Sequence, residues 1–257
     1  MTHHQHTNLV SIGDEATRVA QVAIKVLASS LSHARGPEAR APMAPAITTR
    51  QACQRLFDAS LNPKKAAVSA AIQELQAAGF LDFTLFSEII PAAVCQLGLA
   101  WEEDALSFFA MTLGASRLQS ALHGLSEREL PNGVSYLSKN LSLLIIVPEG
   151  TQHTLGAIIL GKTLRCVGAR VKLQMDVTAN RVHQIGAGEH FDGVFISASA
   201  RDSADKLNEI ISNVRRNWSA AKVILGGGIL SAQINLDAVT GTDYKTNDWK
   251  AAVAQCF

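Results

Sequence analysis

Three short groups of residues in this chain have the types and spacing to hold a metal-bearing ligand. The first is Thr151-Gln152-His153-Thr154-Leu155-Gly156, where an imidazole is followed three residues later by a glycine. The second is Ser197-Ala198-Ser199 and the third is Gly226-Gly227-Gly228. Neutral imidazole is a general ligand for transition metals. Hydroxyls hydrogen-bond a polar group brought beside them, and consecutive glycines remove the side chains that would block a slot between backbone segments. Singly, each group has a plainer explanation. A loop histidine more often makes a hydrogen bond, Ser-x-Ser more often caps a helix, and three glycines more often form a turn. Their weight comes from the elements that precede them.

His153 leaves the most apolar strand of the sequence, Leu143–Val147, which is rich enough in Leu, Ile and Val to be buried on both faces of a parallel sheet. Further strands are read at Val171–Met175, Gly193–Ser197 and Lys222–Leu225, with a weaker one at Ala238–Thr240. Helical patterns follow them at about 155–167, 179–188, 202–217, 229–234 and 247–255. This alternation implies βαβ units and a doubly wound α/β fold, flavodoxin-like with strand order 2-1-3-4-5. Ligands of such sheets bind outside the carboxyl ends of the strands, where the order reverses. The three groups stand at the carboxyl ends of strands 1, 3 and 4, with His153 at the rim. A deep slot with an imidazole at its mouth suits a planar metal macrocycle whose long tail enters the slot.

The sequence ahead of the sheet is helical. Leu61-Asn62-Pro63 reads as a helix entry with Pro63 early in the first turn, followed by an apolar repeat over Ala66–Ala78. Phe80–Leu97 is a third stretch that Pro91 should bend or divide. Trp101–Leu125 is a fourth, with Trp101, Leu106, Phe109, Leu113, Leu118 and Leu122 spaced for a buried stripe. A four-helix bundle is expected. The organisation is therefore a segment and linker over 1–49, a helical cap over 50–130 and an α/β domain over 140–257. Within the first segment, one short amphipathic helix is expected at Arg18–Leu31, and 34–48 reads as an Ala/Pro-rich linker.

Composition removes several classes. The 257 residues are 47% hydrophobic with a net charge of +1, without the basic excess that gripping nucleic acid by its phosphates requires. Cys53, Cys95, Cys166 and Cys256 are far apart and no secretory signal is read, so they are expected as buried free thiols of a cytoplasmic protein. No apolar run approaches the roughly 18 residues of a membrane span. His3, His4 and His6 read as solvated, and Trp218 and Trp249 as packing residues. His183 and His190 read as surface residues, and His123 sits where a helix carboxyl end favours an imidazole.

The order His-x-x-Gly, Ser-x-x and Gly-Gly resembles the cobalamin-binding domain, whose usual signature is Asp-x-His-x-x-Gly, Ser-x-Leu and Gly-Gly. Leu97-Gly98-Leu99-Ala100-Trp101 resembles the Gly-x-x-Trp pattern of the helical cap in front of such domains, whose tryptophan covers the upper face of the corrin. The segment from Leu97 to Leu122, with Trp101, Asp104, Ser107 and Gln119, is similar to the AerR/PpaA antirepressor group of purple photosynthetic bacteria. This resemblance implies a cobalamin-binding, light-responsive regulator without catalytic activity, acting on a photosynthesis-gene repressor of the CrtJ/PpsR type. It would reach DNA only through that partner and would not involve a membrane. The implied cobalt ligand is His153. The implied cofactor contacts are Thr151, Gln152, Thr154, Gly156, Ser197, Ser199, Gly226, Gly227, Gly228 and Trp101.

Two departures carry meaning. Thr151 stands where the usual signature has aspartate, and a threonine cannot supply the charge that raises the basicity of a ligating imidazole. His153 is then expected to be a weaker, more exchangeable ligand. Met111 and Thr112 stand where related photoreceptors have Glu-His, so no side-chain base reaches the upper face from that helix. Two alternatives remain: a corrinoid methyl-carrier subunit of a methyltransferase system, and a haem-binding sensor of the same fold. Haem, without a nucleotide tail, gives Gly226–Gly228 no obvious role.

Overall fold

The computed structural model describes residues 47–131, 134–151, 154–186, 188–231 and 235–257, and the chain divides into two compact units, Met1–Gly133 and Val134–Phe257. The expected helix at Arg18–Leu31, the histidines at 3, 4 and 6, and both Gln152 and His153 lie outside the described residues.

In the first unit, α1 (Thr49–Leu61) starts at a capping box in which the Thr48 hydroxyl accepts from Gln51 N and the Gln51 side chain accepts from Thr48 N. Asn62 closes that helix, and its side chain accepts from Lys64 N, so Pro63 lies in a turn rather than in a first helical turn. Helix α2 begins later, at Ala67–Ala77. Helix α3 runs unbroken over Asp82–Glu102. Pro91 does not divide it, because a π-helical turn at Leu85–Ile89 widens the backbone just ahead of the residue that lacks a donor.

Trp101 therefore ends α3 and does not open the fourth helix. Helix α4 spans Phe108–Ala121, with Ser107 accepting from Ala110 N at its start. Starting there leaves Phe109 74% and Leu113 38% exposed, so of the expected stripe only Leu118 and Leu122 are fully buried. Gly114 lets α4 approach its neighbours: a Cβ there would lie 3.0 Å from the Leu97 side chain and 3.1 Å from Ser60 Oγ. By length and composition α3 is apolar enough to cross a membrane, contrary to the expectation from the sequence. About half of it is buried inside the fold, Phe86, Ile89, Ile90 and Leu97 completely, which is the ordinary use of an apolar core helix.

The second unit is the expected α/β fold. Strands β1 (Ser142–Pro148), β2 (Arg170–Val177), β3 (Gly193–Ser197), β4 (Lys222–Gly226) and β5 (Tyr244–Lys245) form one parallel sheet in the order β2-β1-β3-β4-β5. Alternation along β1 explains why it must be apolar throughout. Leu143, Ile145 and Val147 pack on one face with Ala157 and Leu164 of α5 (Leu155–Cys166) and with Ala252 and Val253 of α7 (Trp249–Ala254). Leu144 and Ile146 pack on the other face with Leu207, Ile210, Ile211 and Val214 of α6 (Ala204–Asn217).

Three elements differ from the sequence reading. Among the described residues, the crossover expected at 179–188 is a 3-10 segment, Ala179–Gln184, and the one expected at 229–234 begins as a 3-10 turn, Gly228–Ser231, with 187 and 232–234 outside the described residues. The last strand is not at Ala238–Thr240. Leu236–Ala238 is a 3-10 turn opened by Asn235, and pairing waits until Asp243, whose N–H donates to Val223 O and whose carboxylate accepts from Val223 N. All four cysteines are free, and Cys53, Cys166 and Cys256 are buried.

Candidate functional site at three strand ends

The exit of β1 is held on both sides. Between Ile146 and Pro148 the register with β2 shifts, and there Asp176 adopts a left-handed φ of 52°. This bulge brings the Asp176 carboxylate within 3.3 Å of Gly150 N, whose N–H it accepts. Glu149 N donates to Val177 O, and Thr151 N turns back to Pro148 O. The chain thus makes a tight turn at Gly150 (φ 74°) and carries Thr151 into the interior, 8% exposed.

From the β3 side comes a residue the sequence reading did not single out. Asp202 has a side chain only 4% exposed. One of its oxygens accepts from Ser199 N at 2.7 Å and from the Thr151 hydroxyl at 3.3 Å. The other pairs with the Lys206 ammonium at 2.7 Å, and Lys206 also donates to Glu149 O. A buried carboxylate requires such partners, and removing one would strand the other. The available signal was the spacing: an acid three residues past Ser199, then a lysine four further on along a helix. Ser199 is not a helix cap, since Ser203 caps α6; its hydroxyl accepts from Arg201 N instead.

At the β4 exit the glycines serve a tighter purpose than the open slot expected from them. A Cβ on Gly227, whose φ is 96°, would lie 2.3 Å from Ala198 O, and one on Gly226 would lie 2.8 Å from Thr246 O. Backbone fills that room. Ala198 N donates to Gly226 O, Ile229 N to Ala198 O, and Gly227 N to the Asn247 side chain at 2.6 Å. Gly228 is looser: a Cβ there would lie 3.5 Å from Ala200 N. By contrast Gly156, in the first turn of α5 just after Thr154, is exposed and a Cβ there would meet nothing within 4 Å.

Thr151, Ser197, Ser199 and Gly226–Gly228 thus belong to one rim, tied by Asp202 from β1 to β3 and by Ala198 from β3 to β4. Gly156 lies at the start of the helix that leaves this rim. Trp101 belongs to the helical unit, half-buried, with its ring edge-on to Phe108 at 5.9 Å. His123, His183 and His190 are exposed, and His190 lies 3.7 Å from Asp192. Trp218 packs edge-on against Phe191 and donates its indole N–H to Glu189 O. Among the described residues no three His, Cys, Asp or Glu side chains come close enough to hold a metal ion.

No family model matches the chain. A 20.5-kDa protein of Rhodobacter capsulatus, encoded in the bchF–crtJ intergenic region, is 32% identical over 169 residues, which are 65% of this chain and 86% of that protein. The chain belongs to the AerR/PpaA family. Its fold is also that of a solved structure, the monomethylamine corrinoid protein of Methanosarcina barkeri. That protein is 19% identical, with a TM-score of 0.59 over 81% of this AerR/PpaA chain and 99% of the other. A cobalamin-binding protein from Desulfitobacterium hafniense is 18% identical over 82% of this chain and 98% of its own, with a TM-score of 0.36.

Proposed function

We propose that this chain binds cobalamin at the carboxyl ends of β1, β3 and β4, with His153 as the lower ligand of cobalt. On this reading it serves as a light-responsive antirepressor of a photosynthesis-gene repressor of the CrtJ/PpsR type and catalyses no reaction. The observation that carries the reading is the shared rim, set at the switch point of a parallel sheet that a corrinoid protein also possesses. The regulatory half is supported by the relative encoded beside crtJ.

The residues present fit such a group. Gly156 leaves open space where α5 starts, Gly228 leaves a looser approach, and the half-buried Ser197 and Ser199 offer hydroxyls and backbone groups there. Thr151, Gln152 and Thr154 flank the imidazole in sequence, and Gly226 and Gly227 keep the β3 and β4 exits in contact. When bound, an alkylcobalamin supplies a light-cleavable cobalt–carbon bond. The chain's part would be to ligate the metal through His153 and to present different surfaces to the repressor in the dark and in the light. DNA is reached through that partner.

Purified full-length protein titrated with hydroxocobalamin in the dark should give a histidine-ligated spectrum that His153→Ala abolishes. Dark and illuminated alkylcobalamin complexes should then differ in affinity for the repressor. An unchanged spectrum in His153→Ala would overturn the ligand assignment, and an iron-porphyrin spectrum in the protein as isolated would favour haem. Equal repressor binding in both states, or promoter binding without the repressor, would overturn the regulatory reading.

A further inference from the structure

The buried contact between Thr151 and Asp202 changes the meaning of the substitution at position 151. We infer that Asp202, acting through the Thr151 hydroxyl, stands in for the acid that the usual signature places at 151, and that Lys206 moderates its charge. This deepens the cobalamin reading and rests on it. A threonine hydroxyl has one proton and two lone pairs. Here the proton is directed at Asp202 Oδ2, 3.3 Å away. With its proton so committed, the oxygen offers its neighbourhood only lone pairs. It can then accept an imidazole N–H as the missing carboxylate would, and fix which ring nitrogen is left for the metal.

The carboxylate behind it is locked from two further sides, by Ser199 N at 2.7 Å and by Lys206 Nζ at 2.7 Å, and its side chain is 4% exposed. Lys206 is itself pinned by Glu149 O, the backbone two residues before Thr151. One lysine therefore neutralises the acid and clamps the loop that the acid serves. The position is polarised by a charge one bond removed and shared with an ammonium. That makes Asp202 a positioning residue, weaker in effect than a directly bonded aspartate and stronger than threonine alone.

The test uses the full chain and hydroxocobalamin. Thr151→Val keeps the shape and leaves Asp202 its Ser199 and Lys206 partners, yet removes the bridge. It should lower hydroxocobalamin affinity by about 10- to 100-fold, the usual cost of losing such a supporting partner. It should also make the lower ligand easier to displace with free imidazole, and lower the melting temperature of the cofactor-free protein only by the loss of one hydrogen bond, about 4–8 °C. Thr151→Ser should restore the parent behaviour. Asp202→Asn should match Thr151→Val, and the double variant should be no worse than either. Unchanged affinity and imidazole competition in Thr151→Val would overturn the relay, as would additive losses in the double variant. Should Asp202→Asn fail to fold, the Thr151→Val and Thr151→Ser pair decides alone. Failure of the unsubstituted protein to bind hydroxocobalamin would instead sink the cobalamin reading, and the relay with it.

Discussion

Replacing Gly227 with alanine isolates the contact that holds the β3 and β4 exits together. The backbone there has φ 96°, where an L-residue carries strain of about 1–3 kcal/mol. The added Cβ would lie 2.3 Å from Ala198 O and 3.0 Å from Ala198 N, and both are backbone atoms that no rotamer change can move. Relieving the clash means separating the loops. That stretches the Ala198 N to Gly226 O bond (2.9 Å) and the Ile229 N to Ala198 O bond (3.3 Å), each worth about 1 kcal/mol net. Together these give about 3–5 kcal/mol, or roughly 12–20 °C in melting temperature for a unit of this size. The assay is thermal unfolding followed by tryptophan fluorescence in a Trp101→Phe background, where Trp218 and Trp249 both report on the second unit. Gly156→Ala is the control. Its Cβ meets nothing within 4 Å, and alanine is the better helix former by up to about 1 kcal/mol, so stability should hold or rise. A Gly227→Ala protein as stable as its parent would refute the close apposition of the two exits.

Acid should weaken the second unit through Asp243 and Asp192. Burial raises the Asp243 carboxyl, but the Val223 N–H it accepts and the Arg215 guanidinium beside it outweigh this and hold it below the usual range. For Asp192 burial likewise opposes, and the Ser142 N–H and Lys139 prevail. Carboxyls lowered in the folded state contribute stability above their unfolded value of about 4 and lose it as pH falls through the folded value. Melting temperatures measured from pH 7 to pH 3 should fall below about pH 4, and less steeply in Asp243→Asn; parallel curves would contradict this. Burial, with Cys95 nearby, pushes the Cys53 thiol up to about 11, and burial with the Asp192 charge does the same for Cys256. At pH 8 only about one in a thousand of either is thiolate, so a disulfide reagent should label them only on unfolding. Rapid native labelling of both would contradict their burial. Trp218→Phe should cost about 1 kcal/mol by leaving Glu189 O without its indole donor at 3.0 Å, read as a lower urea midpoint. An unchanged midpoint would mean that this bond contributes nothing.

Much of the second unit was legible because its strands alternate between two buried faces and are separated by turn residues. Gly193–Ser197 matches residue for residue, and β1, β2 and β4 differ only at their ends. The fifth strand was misplaced because it is two residues long and its position depends on Asp243 pairing with Val223, a partner twenty residues away. Pro91 misled for a different reason: a π turn absorbs it, and nothing in the local sequence announces one. The strand-end site was legible by residue type, but the glycines' role was not. Only the fold shows that Gly226 and Gly227 face backbone at 2.8 and 2.3 Å. Asp202 escaped notice because its importance lies in contacts across the sheet, to Thr151 fifty-one positions earlier.

The central claim is that His153 ligates cobalt at this rim. The most direct test is the absorption spectrum of the full-length protein with hydroxocobalamin, before and after light, beside that of His153→Ala. A histidine-ligated spectrum in the parent, lost in the variant, is the predicted result. Identical spectra in the two proteins, or a parent whose spectrum is that of the free cobalamin, would contradict it.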